Sequence, residues 1–494
     1  MGKRKAAVLE KSLPSGPESF AHLLDAESYA ALLESLTQPL PSAIRVNPLK
    51  VNVEQAVQQW QQLYRWNVHQ VPFCPSGYWV ENNPAPVSQT WEHRLGQYYI
   101  QDAASMLPAE LFDFPLQPGG LVLDMAASPG GKTTHLAARL ADRNVIVAND
   151  SSTSRLTALR LVLRNWGAAS VGITCYPGQQ FGEMCPGLFD AVLLDASCSM
   201  QGLRSTESHP VRAITAREQS GLALRQQRLL ESAVLATRPG GQVVYSTCTL
   251  SPEEDEGVVD AVLKTFGSAL QLDDISSTMP AGAQGIMRDR EAVYSDQVRK
   301  SARLWPHVFG TAGFFAARFT RLDGRIGIPA DEHSRGRPNR FEPLPNRQVD
   351  ALVRQWQEQY DFGLAAILEK YQLVVVQFGK DLFAVPHWVA GPGSFLSYSS
   401  AGLPLAEQTA EGYLPAHDWM ARFENSFQSM RYLLSDDQVD PWLRGSDIPG
   451  APHGQFAPRQ VVLVSDSRGR FLGLAKILKD RLKNLLPRRL AGGW

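Results

Sequence analysis

Between Leu121 and Arg321 the chain alternates short apolar runs with amphipathic segments, and nothing else in it constrains the fold as strongly. LVLD to Asp124, NVIVAND to Asp150, VGIT from Val171, FDAVLLD to Asp195 and QVVYSTC to Cys248 read as short buried strands. Between them lie helical patterns: GKTTHLAARL, then STSRLTALRLVLRNWG ended by Gly167, then AREQSGLALRQQRLLESAVLATRPGG stopped by Pro239 and Gly240. SPEEDEGVVDAVLKTF opens with Ser251 and Glu254 in capping-box spacing, which predicts a helix N-terminus just past Cys248. GFFAARFTR, from Gly313, reads as a last strand. Such alternation predicts an α/β unit, an open and mostly parallel sheet with helices on both faces. Ligands of such sheets bind beyond the C-terminal ends of the strands. Asp124, Asp150, Asp195 and Cys248 all stand at such ends.

At 494 residues the chain is too long for one core. Before the alternating region, SYAALLESLT and EQAVQQWQQLYRW read as helices and SAIRVNPLK as a strand and turn. The stretch Asp323 to Gln348 is rich in Pro, Gly and charge and reads as a linker. A separate region follows, in which QVVLVSDSRGRFLGLAKIL reads as a hairpin running into a basic tail. The expected division is residues 1–110, 111–322, a linker at 323–348, and 349–494. Formal net charge is −1, so any nucleic-acid contact must come from a local patch. Five widely spaced cysteines, with no C-x-x-C pair, predict neither a disulfide framework nor a metal site. The N-terminus has no apolar core of signal-peptide length, and no run of about 18 apolar residues marks a membrane span. A cytoplasmic protein without membrane association or an evident protein partner is expected.

The loop Ala126, Ala127, Ser128, Pro129, Gly130, Gly131 and Lys132 invites two readings. It nearly matches the phosphate-cradling loop of nucleoside triphosphatases, and VLLDA at Val192 imitates their metal-binding strand. Three features oppose that reading. Pro129 removes a backbone N–H that a phosphate cradle would use. Asp150 closes the next strand, where a carboxylate can accept hydrogen bonds from both hydroxyls of a ribose. Cys198 and Cys248 follow the two later strands. S-adenosylmethionine accounts for all three: a ribose for Asp150, an amino-acid tail for the loop, and a methyl group to deliver. The thiols point to the acceptor, because a thiolate adding to C6 of cytosine makes C5 nucleophilic enough to take that methyl, and the target base must leave its stack to reach the pocket. Cysteine is more often a core residue than a nucleophile, and Cys74, Cys175 and Cys185 are read as core. The helix predicted from Ser251 would lower the Cys248 thiol pKa through its N-terminal partial charge.

RVNPLK at Arg45, YIQDAASMLPA at Tyr99, DMAASPGGKTT at Asp124, VLLDASCS at Val192, RPGGQVVYSTCTLSPEEDE at Arg238 and RLWPHVFGTAGFFAARF at Arg303 resemble the Sun (Nop/Nol) family of RNA cytosine-5 methyltransferases. WLRGSDI at Trp442 and LGLAKILKDRLKNLLPR at Leu472 resemble in particular its bacterial members that act on small-subunit ribosomal RNA. The resemblance implies a class I (Rossmann-like) methyltransferase sheet, an RNA-recognition-like module before it and an α+β, PUA-like RNA-binding region after it. It implies S-adenosylmethionine at Ala126 to Lys132 and at Asp150, with Asp195 near donor and target base. It implies Cys248 as nucleophile, Cys198 assisting product release, and ribosomal RNA or the small subunit as partner.

Two motifs depart from the family. Asp-Ala-Pro-Cys-Ser-Gly is here Asp195-Ala196-Ser197-Cys198-Ser199-Met200, which is expected to free and crowd the loop carrying Cys198. Pro177 stands where the family places an acidic residue near the adenine. An alternative therefore stays open: an RNA-binding ribosome-assembly factor with eroded activity. Eight basic residues against one acid between Arg468 and Arg489 are the local signal for RNA, since such density tracks phosphates. Trp60 and Trp66 read as core packing.

Overall fold

The computed structural model describes residues 16–117, 119–202, 213–279, 282–322, 341–391, 395–450 and 456–491. The readings of residues 1–15 and of most of the linker, 323–340, lie outside the described residues.

The predicted alternation forms one large sheet. Leu121–Asp124 lies at its centre and pairs in parallel with Val145–Asn149 on one side and Phe189–Asp195 on the other. Val171–Thr174 continues the first side and Thr237–Thr247 the second, both parallel. Phe314–Arg321 is antiparallel beyond Thr237–Thr247, and Leu270–Leu272 lies outside it. The chain thus winds outward from the central strand and then crosses to build the other half. That reversal opens a crevice at the carboxyl ends of Leu121–Asp124 and Phe189–Asp195, where doubly wound sheets bind ligands.

Strand periodicity sends alternate side chains to opposite faces. Leu121, Leu123, Val147, Val192, Leu194, Val243 and Tyr245 join a core with Leu230 and Val234 of helix Ala216–Ala236 and with Val258 and Val262 of helix Glu256–Phe266. Val122, Ile146, Ala148, Leu193 and Val244 face the other way, onto Leu136 and onto Leu156, Leu159, Leu163 and Trp166 of helix Leu156–Trp166. Full burial of each such aliphatic side chain contributes roughly 1.5–3 kcal/mol. Gly167, at φ 84°, ends that helix in the left-handed conformation.

Two local expectations are corrected. Helix Ala216–Ala236 stops before Pro239 and Gly240, which fall inside strand Thr237–Thr247, where the register with Phe189–Asp195 shifts. No capping box forms at Ser251: the helix begins at Glu256, after a turn, with Asp255 as a cap residue that makes no side-chain cap. The Ser251 hydroxyl bonds Gln219 instead, and Glu254 turns to the loop carrying Cys198. Tertiary partners outcompeted the local cap.

After helix Ala26–Thr37, the first hundred residues build a four-stranded antiparallel sheet in the chain order strand, helix, strand, strand, short helix, strand. Across that sheet the order is Asn67–Gln70, Gly77–Glu81, Ser42–Val46, Tyr98–Ile100. Trp60 and Trp66 are buried in it against Tyr98, at 5.1 and 6.3 Å between ring centroids. The last third forms two five-stranded sheets. It is not the separate region expected: Tyr398–Ala401 pairs with Val171–Thr174 at the edge of the large sheet, and Val376, Val385, Val389 and Leu396 share its core. The final residues read as linker are also structured, as strand Glu342–Pro343 and the start of helix Asn346–Tyr360. Among the described residues no helix is long and apolar enough to cross a membrane.

Candidate active site

Two thiols lie at the carboxyl edge of the sheet, with their Sγ atoms 3.2 Å apart. One is Cys198, three residues past strand Phe189–Asp195, and the other is Cys248, directly after strand Thr237–Thr247. Because those strands are neighbours, positions fifty residues apart in the chain become adjacent in space. The loops interlock behind the thiols. Leu250 N–H donates to the Gln201 carbonyl at 3.2 Å, and a Cβ on Gly202 would come within 2.7 Å of the Cys248 carbonyl oxygen, so only glycine allows this approach.

The thiols are not equivalent. Cys248 is exposed and Cys198 half-buried. The hydrogen bond from Cys198, followed at longer range by the Lys132 ammonium, holds the Cys248 pKa below the ordinary thiol value despite the opposing influence of burial and Asp195. The same bond to Cys248, together with burial, raises Cys198 well above that value. Of the two, Cys248 is thus the thiol that ionises first, and Cys198 is the one that keeps its proton to donate to it. The helix N-terminus expected to activate Cys248 has no part in this, since the helix begins eight positions further on, at Glu256.

Lys132 and Asp195 form an ion pair at 2.7 Å beside the thiols. Ser246 Oγ donates to the other Asp195 oxygen at 2.8 Å, which fixes the carboxylate from both sides. Asp195 and its neighbours raise the Lys132 pKa against the effect of burial, so the cation persists. A triphosphatase would need Lys132 free for phosphate, and here it is committed to Asp195.

On the other side of the loop, two buried carboxylates each keep an oxygen without a hydrogen-bond partner: Asp124 Oδ1 and Asp150 Oδ2. Burial pushes the Asp124 carboxyl up to about 7, against a hydrogen bond from Thr133 Oγ1 at 2.6 Å. Asp150 accepts from Ser152 N–H through its other oxygen, and Arg155 approaches Oδ2 at 3.2 Å. Arg155 also donates to the Ser128 carbonyl at 2.6 Å, linking the Ala126–Lys132 loop to Asp150. Gly130, at φ 117°, turns that loop into helix Gly131–Arg139. The structure thus gathers the loop, Asp150, Asp195, Cys198 and Cys248 at one edge. Pro177 opens the short turn after Val171–Thr174, also at that edge, and offers no side-chain acceptor there.

The loop lacking the family's Pro and Gly is held by other means. Gln226 Nε2 donates to the Ser197 carbonyl at 3.0 Å and to Glu254 at 2.9 Å; Glu254 in turn accepts from Ser199 N–H at 2.9 Å. Met200 keeps the left-handed conformation, φ 60°, that a glycine would adopt without strain. The loop is therefore pinned rather than freed, and its cost is local strain at Met200.

Gln226 and Glu254 gave no signal in the sequence. Nor did the role of Arg303, whose guanidinium is fully buried between Asp255, at 3.2 Å, and Glu256, and donates to the Leu250 carbonyl at 2.7 Å. Asp255 in turn accepts from Thr247 Oγ1 at 2.6 Å, so this network anchors the segment on both sides of Cys248. Cys74 and Cys185 are buried as read, whereas Cys175 is only half-buried. Cys74, Glu110 and His135 place ligand-type atoms within 4.8 Å of one another. Arg139 already pairs with Glu110 at 3.2 Å, and Arg45 and burial hold His135 neutral down to about 4, so a cation would enter against two guanidinium groups.

Half of the basic run near the C-terminus is paired with carboxylates. Arg470 is held by Glu92 and Asp466, both at 2.7 Å; Lys476 pairs with Glu411, Arg481 with Asp447, and Arg489 with Asp418. Four of these five acids are distant in sequence, which a local count could not see. The run also contains a further strand, Arg481–Asn484, in place of a tail.

Comparison with known proteins places this arrangement. Residues 114–320 match the family described as 16S rRNA methyltransferase RsmB/F, and residues 17–103 match the N-terminal domain of 16S rRNA methyltransferase RsmF. Ribosomal RNA small subunit methyltransferase F of Aeromonas salmonicida is 32% identical over 487 residues, covering 96% of this chain and 97% of that protein. Among solved structures, a methyltransferase homolog protein from Pyrococcus horikoshii is 33% identical with a TM-score of 0.52, covering 60% of this chain and 92% of that one. NSun6 from Pyrococcus horikoshii with SFG shares the fold at 21% identity and a TM-score of 0.51, covering 63% of this chain and 98% of that one.

Proposed function

The chain belongs to the ribosomal RNA small subunit methyltransferase F family, and from that premise we propose that it methylates C5 of a cytosine in small-subunit ribosomal RNA through a transient bond between Cys248 and C6. The protein is an S-adenosylmethionine-dependent ribosomal RNA methyltransferase. The unpartnered Asp124 Oδ1, the Asp150 carboxylate beside Arg155 and the loop Ala126–Lys132 fit that donor, since they present acceptors and close backbone to a polar ligand. When bound, the donor supplies an electrophilic methyl group.

The single observation that carries the mechanism is the 3.2 Å thiol pair with opposite pKa shifts. Cys248, the exposed thiolate, adds to C6 and makes C5 nucleophilic. Cys198 keeps its proton at physiological pH and stays beside the sulfur that must depart once the C5 proton is removed. Asp195, fixed by Lys132 and Ser246, presents a carboxylate suited to the exocyclic amine of cytosine. The pinned Cys198 loop favours a working enzyme over an assembly factor with eroded activity.

The strand and helix order of the N-terminal sheet supports reading residues 1–110 as an RNA-recognition-like module. The compact sheet built from Arg431 to Asn484 supports a PUA-like role for the last region. A ribosomal RNA substrate supports reading the protein as cytoplasmic. The test is methyl transfer from labelled donor to small-subunit RNA and to subunits: Cys248→Ala should abolish it, and a variant as active as the parent would overturn the mechanism.

A further inference from the structure

Half of the C-terminal basic run is committed to carboxylates, and a second concentration of positive charge lies elsewhere. Arg288, Arg290 and Arg299 are exposed and make no ion pair among the described residues. They converge on a cavity of about 640 Å³ lined also by His22 and Trp305, and no carboxylate lines it. A smaller cavity of about 140 Å³ shares His22 and Arg290 with it and has Gln201 and Ser251 in its wall. Gln201 stands three residues beyond Cys198, and Ser251 three beyond Cys248. Leu250, two residues past Cys248, packs in one cluster with Trp305 and Phe20. The two cavities adjoin at His22 and Arg290, and the smaller one is walled by the segments that follow the two thiols. The carboxylates on its narrow part are already engaged: Asp289 with His22 at 2.6 Å, and Glu253 with Ser220 Oγ at 2.6 Å.

We propose that this groove holds the single-stranded RNA backbone next to the target base, with phosphates at Arg288, Arg290 and Arg299. The choice of RNA as occupant rests on the methyltransferase reading above; the position rests on charge complementarity and on the adjoining cavity walled by Gln201 and Ser251. Phosphates contacted by arginine release condensed counterions, so binding should weaken with salt in proportion to the contacts made.

The test uses the full chain, protein-free small-subunit ribosomal RNA as probe, and the triple variant Arg288→Gln, Arg290→Gln, Arg299→Gln. The slope of log affinity against log salt should flatten by about 2, from roughly 0.7 per lost single-strand contact. KM for RNA should rise, while kcat at saturating RNA, donor affinity and melting temperature hold. A control variant at Lys479, Lys483 and Arg488 should change the slope less. Photo-crosslinking of the parent to the same RNA should label peptides spanning residues 284–305, a readout that needs no folded variant. An unchanged slope in the groove variant, or crosslinks confined to the C-terminal sheet, would overturn the proposal. A parent that binds RNA without transferring methyl defeats the enzymatic reading and leaves the slope to decide the groove. A parent that transfers methyl while the groove variant keeps its slope defeats the groove alone.

Discussion

Replacing Cys198 by Ala removes the S–H that donates to Cys248 across 3.2 Å. A hydrogen bond to a charged group contributes about 1.5–3 kcal/mol, and a thiol is a weak donor, so the low end applies. At about 1.4 kcal/mol per pKa unit, the Cys248 pKa should rise by about 1 unit. The sign follows from which form gains: the bond stabilises the thiolate, so it depresses the pKa, and its loss raises it. Below that pKa the thiolate fraction at fixed pH falls about tenfold per unit. Cys198→Ser restores a stronger donor and should keep the Cys248 pKa at or below that of the parent. The assay is alkylation by iodoacetamide across pH, with modification at Cys248 followed by mass spectrometry, so that no turnover is required. An Ala variant that titrates with or below the parent, or Ala and Ser variants that behave alike, would refute the reasoning.

Three further outcomes follow from the same structure. Met200→Gly should relieve the left-handed strain, a cost of about 1–2 kcal/mol for an L-residue, less about 0.5–1 kcal/mol of glycine entropy; urea denaturation should show a small gain in stability with activity retained. Arg303→Met leaves Asp255 and Glu256 buried and uncompensated, a loss of about 3–5 kcal/mol, and calorimetry should show melting lower by about 6–20 °C. Asp150→Ala should weaken donor binding by about 10- to 100-fold, the worth of a charged hydrogen bond, as read by titration calorimetry, while the pH profile of Cys248 alkylation stays where it was.

The large sheet was legible because its strands are buried on both faces and therefore read as unbroken apolar runs, LVLD and VLLD among them. The strand-end residues were legible for a related reason: in such a sheet the carboxyl edge is a fixed address, and Asp195 ends a strand while Asp150, Cys198 and Cys248 each follow one. What local pattern could not supply was partnership. Ser251 and Glu254 have capping-box spacing, yet their side chains bond Gln219, Gln226 and the Ser199 N–H, groups far away in the chain. The charge run from Arg468 looked free because Glu92, Glu411 and Asp418 are brought to it only by folding. The loss of Pro and Gly beside Cys198 read as freeing the loop because the clamp from Gln226 and Glu254 has no signature in spacing. The strand Tyr398–Ala401 joins the sheet edge across more than two hundred residues, a register that only the folded chain defines.

The most direct test of the central claim is to trap the covalent step. Small-subunit RNA carrying 5-fluorocytidine at the target position offers no C5 proton to remove, so the adduct should persist. The account predicts a stable crosslink in the presence of S-adenosylmethionine, mapped by mass spectrometry to Cys248 and absent from Cys248→Ala. A crosslink through Cys198, or one that survives in Cys248→Ala, would contradict it.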